Sequence, residues 1–253
     1  MNSQEGFTQL AMVHRLPRAR LVDRIEYLSD AARGERVVHV GFVDAGCQSM
    51  QEEADAWLHG HLGRVTDRLV GLDIDPDGVA AARTHGYEAH VEDCTDPAAV
   101  GALGLAPADV VIAGEVIEHL DEPGRFLDAM TLLVRPGGRL VLTTPNASGV
   151  LNGAAALAGF EINHPDHVAM FSWRTLHNLL DCHGWDTVES ATFVPVVKGL
   201  RGRGTKLRLL GIAARGVLFL ERTIGRWWAP FVADGLIVVA RRSGRSHPPD
   251  RRR

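Results

Sequence analysis

Seven short apolar runs, separated by segments of helical periodicity, constrain what this chain can fold into more than any other feature. The runs are Arg36–Val40, Arg68–Leu72, Glu88–Val91, Asp109–Ala113, Arg139–Thr143, Thr187–Val194 and Leu236–Ala240. Several are bare apolar stretches with no polar alternation, the pattern of strands covered on both faces. Helical segments fall at Pro17–Ala32, Gln48–Leu62, Pro76–Thr84, Gly124–Val134 and Trp173–His183. Alternation of this kind predicts an α/β fold: a doubly wound, seven-stranded, mainly parallel sheet with helices on both faces. Ligands of such sheets bind beyond the carboxyl ends of the strands. The residues that end each run are therefore the candidates for chemistry.

At 253 residues with 45% apolar side chains, the chain suffices for one domain with a sizeable core. No apolar run approaches the ~18 residues of a membrane span. Met1–Leu10 lacks the apolar core of an export signal. Cys47, Cys94 and Cys182 lie far apart and make no C-x-x-C pair, which argues against a disulfide framework or a zinc knuckle. The expectation is a cytoplasmic protein. Its charge is uneven: Lys198–Arg253 holds 14 basic residues against 3 acidic ones, within a net charge of −4. A basic end on an acidic body is either a solvated extension or a contact for an anionic partner.

Arg68–Asp77 reads RLVGLDIDPD. Asp73 ends the second strand, where a carboxylate accepts hydrogen bonds from ribose hydroxyls. A helix N-cap is the competing role, and for Asp75, directly before Pro76, the cap is preferred. Ile74 lies between the two aspartates. Asp93, after the third strand, stands equally as an acceptor for an adenine amino group or as the cap of the next short helix. The first strand leads into VVHVGFVDAG, Val37–Gly46, where Gly41 permits close approach of backbone to ligand. A full G-x-G-x-x-G is absent.

Ala108–Gly149 reads ADVVIAGEVIEHLDEPGRFLDAMTLLVRPGGRLVLTTPNASG. Its E-V-I-E-H-L, R-P-G-G and L-V-L-T-T-P-N strings, with V-G-L-D-I-D, closely resemble the class I S-adenosylmethionine-dependent methyltransferases over about Arg36–Trp185. HPDHVAMF, His164–Phe171, resembles the subfamily of the ubiquinone-biosynthesis O-methyltransferases. The resemblance implies a Rossmann-like fold, S-adenosylmethionine as cofactor, and cofactor contacts from Gly41, Asp73, Ile74, Asp93 and Glu115. One departure stands in the first motif. His39 occupies the usual acidic position and Val43 that of the second glycine, with Asp44 and Gly46 left to complete the turn.

Methyl transfer asks the enzyme for alignment and exclusion of water, and an oxygen acceptor also needs a base. His119 and His167 are the candidate bases, because imidazole titrates near neutrality. Glu115, Glu118 and His119 form E-x-x-E-H, and on a helix they share one face. With His164 they make a candidate site for Mg²⁺ or Mn²⁺. Small-RNA 2′-O-methyltransferases are similar in using such a string with a distal histidine. The alternative is that Glu115 touches the cofactor and Glu118 is structural.

Three regions are expected: an N-terminal helical entry over 1–35, a methyltransferase domain over 36–242, and a disordered basic tail over 243–253. Within the domain, a helical insertion of about 198–230 precedes the last strand. Its apolar stripe is Leu207, Leu210, Ala214, Val217, Ile224 and Trp228, and Arg208, Arg215 and Arg222 recur on another face. Packing on the sheet, a lid over the acceptor, and peripheral contact with an anionic membrane at its inner face all fit. The leading function is O-methylation of a small-molecule or lipid/glycan-linked acceptor. A non-catalytic cofactor-binding protein and a metal-dependent RNA 2′-O-methyltransferase are the alternatives, although the acidic body speaks against nucleic acid.

Overall fold

The computed structural model describes residues 13, 15–43, 57–157, 159–195, 216–219 and 221–244. Its strands are β1 (Arg36–Val40), β2 (Arg68–Asp73), β3 (Glu88–Val91), β4 (Ala108–Gly114), β5 (Val134–Pro145), β6 (Trp185–Phe193) and β7 (Gly235–Arg242). They form one seven-stranded sheet in the order β3-β2-β1-β4-β5-β7-β6. Pairs from β3 through β5 are parallel, and β7 runs antiparallel to both of its neighbours. The mainly parallel, doubly wound sheet expected from the apolar runs is present.

Seven named helices accompany it: α1 (Arg24–Ala32), α2 (Leu58–Gly63), α3 (Pro76–Thr84), α4 (Pro97–Ala102), α5 (Pro123–Leu133), α6 (Val150–Leu157) and α7 (Trp173–Cys182). Alternate residues of β1 and β4 feed opposite faces of the sheet. Val38, Val40, Val111 and Ala113 pack with Phe126, Met130, Leu176 and Leu180, from α5 and α7. Val37, Val110 and Ile112 pack with Leu28, Ala32, Leu58 and Leu62, from α1 and α2. A smaller cluster of Phe42, Trp57, Val79, Ala82 and Ala89 seats α3. Among the described residues, no helix is long and apolar enough to cross a membrane.

The entry helix begins later than its periodicity suggests. Arg20–Val22 lies along β6, with Val22 N–H donating to Thr192 O and Thr192 N–H to Arg20 O. That pairing covers the open edge of β6 and holds the segment extended. Asp23 then caps α1, its Oδ1 accepting from Glu26 N at 3.0 Å. The start of the expected helix Gln48–Leu62 lies outside the described residues. β5 extends back to Val134, which pairs with Ala108 before the register shifts, so the Pro136-Gly137-Gly138 turn belongs to the strand.

The insertion departs most from expectation. Residues 196–215, which hold Leu207, Leu210, Ala214, Arg208 and Arg215, lie outside the described residues, as do tail residues 245–253. Residues 216–219 and 221–227 are helical. Ile224 and Trp228, from the expected apolar stripe, are exposed together with Phe219 and Trp227, so of the three readings packing on the sheet does not hold at these positions. The side that meets the body is Glu221 and Gly225, with Gly225 against Leu21.

Candidate active site

The carboxyl ends of β1 to β5 converge on one edge, and the strand order reverses between β1 and β4. In such sheets that reversal opens the ligand crevice. Gly41 leaves β1 with φ +66, and a Cβ there would stand 2.2 Å from Val116 Cγ2. Only glycine satisfies both the left-handed backbone and this close approach. Asp73 ends β2 and is 8% exposed. Its Oδ2 accepts from Val43 N at 2.8 Å, and its Oδ1 from Asp75 N at 3.0 Å. One carboxylate thus shapes both the β1 loop and the entry to α3. Burial raises its pKa, and the two backbone donors oppose that rise. Asp75 caps α3 through Asp77 N, as preferred from sequence. Ile74, 72% exposed, offers an apolar face beside Asp73.

Asp93 does not cap the following helix. Asp96 does, accepting from Ala98 N at 3.0 Å. Asp93 Oδ1 accepts from Thr95 N and Thr95 Oγ1, which lowers its pKa. The carboxylate stays exposed at the tip of β3, free of the capping role.

Glu115 has φ +59, the one positive φ outside glycine among the described residues. Strained backbone of this kind is concentrated at functional sites. Its N–H donates to Thr143 O, and Thr143 Oγ1 donates to Glu115 Oε1 at 3.2 Å while accepting from Arg24 Nε at 3.1 Å. Arg24, Thr143 and Glu115 make a relay across the crevice floor. No motif named Arg24 or Thr143, although the doubled threonine of L-V-L-T-T-P-N was the visible signal.

The shared helical face expected for Glu115, Glu118 and His119 does not form. Glu115 precedes any helix, and Ile117–His119 is a single 3-10 turn. Glu118 points inward and is fully buried, its Oε2 accepting from Thr144 Oγ1 at 2.9 Å. Its Oε1 has no partner among the described residues. Burial, reinforced by the charge of Glu115, pushes its pKa up to about 8. Its carbonyl accepts from Val168 N and Ala169 N, docking the loop between α6 and α7. That loop brings His164 and His167 to His119, and one ligand atom from each lies within 4.8 Å of the other two. Neither carboxylate belongs to this group. Of the four residues expected as metal ligands, His119 and His164 thus lie together, beside His167, while Glu115 and Glu118 lie outside that group.

His39 faces the core and not the crevice. Its Nδ1 lies 3.1 Å from His59 Nδ1 within the Phe42–Trp57–Tyr87 aromatic cluster. Burial holds both imidazoles far below their ordinary pKa, with His59 at about 3. One neutral ring donates and the other accepts. A packing pair thus replaces the usual acidic residue of the first motif. Asp44 and Gly46 lie outside the described residues.

Comparison with known proteins agrees with this geometry. Two solved S-adenosylmethionine-dependent methyltransferases share the fold. That of Archaeoglobus fulgidus has a TM-score of 0.50 at 15% identity, over 85% of this chain and 89% of its own. That of Mesorhizobium loti has a TM-score of 0.50 at 17% identity, over 86% and 95%. A ubiquinone biosynthesis O-methyltransferase of Xylella fastidiosa (strain M23) is 30% identical over 128 residues, 49% of this chain and 48% of that protein. Its counterpart in Caulobacter sp. (strain K31) is 33% identical over 107 residues, 41% and 40%. The chain thus spans about half the length of these curated relatives. Residues 12–190 match the family model described as a methyltransferase domain. With the 3-2-1-4-5-7-6 sheet and the crevice at its β1–β4 reversal, the chain belongs to that family, the class I S-adenosylmethionine-dependent methyltransferases.

Proposed function

We propose that the protein methylates an oxygen of a small-molecule or lipid/glycan-linked acceptor. The observation that carries this reading is the convergence on one edge of Gly41, Asp73, Ile74, Asp93 and Glu115 with the imidazoles of His119 and His167. When bound, S-adenosylmethionine supplies an electrophilic methyl group on a sulfonium sulfur. Asp73 would accept from its ribose hydroxyls and Asp93 from its adenine amino group, with Gly41, Ile74 and Glu115 lining the pocket that holds it. His119 or His167 would take the hydroxyl proton as the acceptor oxygen bonds to the methyl carbon and the carbon–sulfur bond breaks, its electron pair staying on sulfur and S-adenosylhomocysteine leaving. The relatives' printed name, O-methyltransferase, supports oxygen as the acceptor atom. No observation favours the non-catalytic or the RNA-directed reading.

The insertion points to a lipid-linked acceptor met at a membrane surface. Phe219, Ile224, Trp227 and Trp228 are exposed, and Arg222 and Arg226 are exposed beside them. An exposed apolar face with adjacent arginines suits an anionic interface. Calorimetric titration with S-adenosylhomocysteine tests the cofactor assignment, with micromolar binding expected. No binding at millimolar ligand by folded protein would overturn it. Methyl transfer to a panel of phenols and polyprenyl phenols, read by mass spectrometry, tests the acceptor. Co-sedimentation with anionic phospholipid vesicles tests the surface, and a Trp227→Ser/Trp228→Ser variant is expected to lose most of it. Equal sedimentation by that variant would leave the arm no membrane role.

A further inference from the structure

His119, His164 and His167 come from two segments: the turn after β4 and the loop between α6 and α7. Ring centroids stand 4.6 Å apart for His119–His167, 5.4 Å for His164–His167 and 5.9 Å for His119–His164. Each contributes one ring nitrogen to a group spanning no more than 4.8 Å. Three imidazoles packed this closely gain nothing from charge, since protonating one disfavours the next. Neutral, each ring keeps one nitrogen lone pair that an ion could take.

Their outer nitrogens are already committed. His119 Nδ1 lies 3.2 Å from Asp166 O, and a carbonyl only accepts, so the proton sits on Nδ1 and the lone pair on Nε2. His167 Nδ1 lies 2.6 Å from Asn163 Oδ1, which also accepts from His164 N at 3.1 Å and is thereby fixed as the oxygen end of the amide. His167 therefore holds its lone pair on Nε2 as well. His164 Nδ1 accepts a longer bond from Asp166 N at 3.3 Å, and Asp166 Oδ2 stands 3.7 Å away. A proton moved to that Nδ1 finds the Asp166 carboxylate, and Nε2 is released. Metal-binding imidazoles characteristically donate their second ring N–H to such a carbonyl, amide oxygen or carboxylate, which forms their outer shell.

We infer that His119, His164 and His167 bind a borderline-soft divalent ion, Zn²⁺ or Co²⁺, through their Nε2 atoms. An all-imidazole set does not suit Mg²⁺ or Mn²⁺, which take oxygen ligands. Bonds of about 2.0–2.1 Å require the rings to close by rotamer adjustment on their loop and turn, leaving a fourth position open. An acceptor hydroxyl in that position loses its proton to solvent more readily, since the cation stabilises the alkoxide or phenolate. Loaded with metal, the histidines hold the ion and the ion replaces them as the activating group. This use rests on the methyl-to-oxygen reading; the binding itself does not.

The test is titration of the full, untagged chain, stripped of metal, with Zn²⁺, Co²⁺ and Mg²⁺. One equivalent of Zn²⁺ is expected to bind saturably, Co²⁺ to give visible d–d absorption, and Mg²⁺ to give no heat. His164→Gln and His167→Gln should each weaken Zn²⁺ at least 10-fold, and Asp166→Asn by about 10-fold through the outer shell. S-adenosylhomocysteine affinity of His164→Gln should stay within about 2-fold of the parent. Absence of saturable Zn²⁺ binding, or Zn²⁺ binding unchanged in both histidine variants, overturns the inference. The cofactor titration reads the methyltransferase assignment separately, so failure of one leaves the other standing.

Discussion

At Asp73 the carboxylate already accepts two backbone N–H groups, from Val43 and Asp75. On the proposed cofactor role, Asp73→Ala removes a ribose acceptor and also frees the Val43 and Asp75 N–H groups. S-adenosylhomocysteine should bind at least ~1 kcal/mol more weakly, about 5-fold by calorimetry. Parent-like affinity in a folded variant would remove Asp73 from the cofactor site. Gly41 allows a sharper experiment, because two costs are separable there. Gly41→Ala meets Val116 and strains a backbone at φ +66, the latter costing about 1 kcal/mol. The double variant Gly41→Ala/Val116→Ala should recover the steric part of the lost thermal stability and keep the backbone part. If the single variant melts and binds like the parent, the close approach has no consequence. His39 illustrates the opposite situation, a residue at a motif position that serves packing. Its partner His59 lies twenty positions away, beyond the reach of any local pattern.

The helix of the insertion is held to the body by an unusual contact between elements. Glu221 is fully buried, and its Oε1 accepts from Asp234 N; Asp234 Oδ1 accepts in turn from Leu151 N at the start of α6. Glu221 Oε2 and Asp234 Oδ2 have no partner among the described residues. Burial pushes Glu221 up to about 7 and Asp234 up to about 6; for Glu221 the Asp234 N–H bond opposes the rise, the Asp234 charge adds to it, and Arg222 opposes. A folded-state pKa above the unfolded value means that the native state retains protons the unfolded chain releases. Stability contributed here is therefore present at low pH and is lost as pH rises from about 4 through about 7. Thermal melts should show the contact weakening between pH 6 and pH 8. Glu221→Gln keeps the acceptor oxygen and removes the charge. It should flatten that dependence and raise Tm at pH 8 by roughly 2–4 °C, the shift about 1 kcal/mol gives a chain of this size. An unaltered pH profile would show that Glu221 stays ionised and solvated.

Across the whole molecule, the edge opposite the crevice is fastened by Asp109 at the start of β4. It accepts from Arg36 of β1 and from Arg135 of β5, so one carboxylate ties three strands. The two guanidinium groups, Arg135 foremost, hold its pKa well below the ordinary carboxylate range. The sign here is reversed: the stabilisation is present above the unfolded pKa near 4 and is lost as pH falls toward the folded value. Asp109→Asn should lower Tm at pH 7 and narrow the gap to the parent in acid. Equal melting of the two proteins at both pH values would count against the clamp.

The strands were legible because two-sided burial is written directly in composition, as in Val110–Ala113. Capping chemistry was legible at Asp75. What escaped was set by contacts between distant segments. Arg20–Val22 stays extended because Thr192 pairs with it, and Ile224 faces outward because Glu221 faces inward. The E-x-x-E-H string does not give a shared helical face because Glu115 takes a positive φ and only a 3-10 turn follows.

The reversal of β7 has a consequence for how such a chain can change. Because β6 runs with β5 and β7 against both, Phe193, Pro145 and Gly235 lie side by side at the crevice edge. The segment between β6 and β7 therefore leaves the sheet and re-enters it at the same rim. A change in its length begins and ends at that rim and leaves the register of the parallel strands untouched.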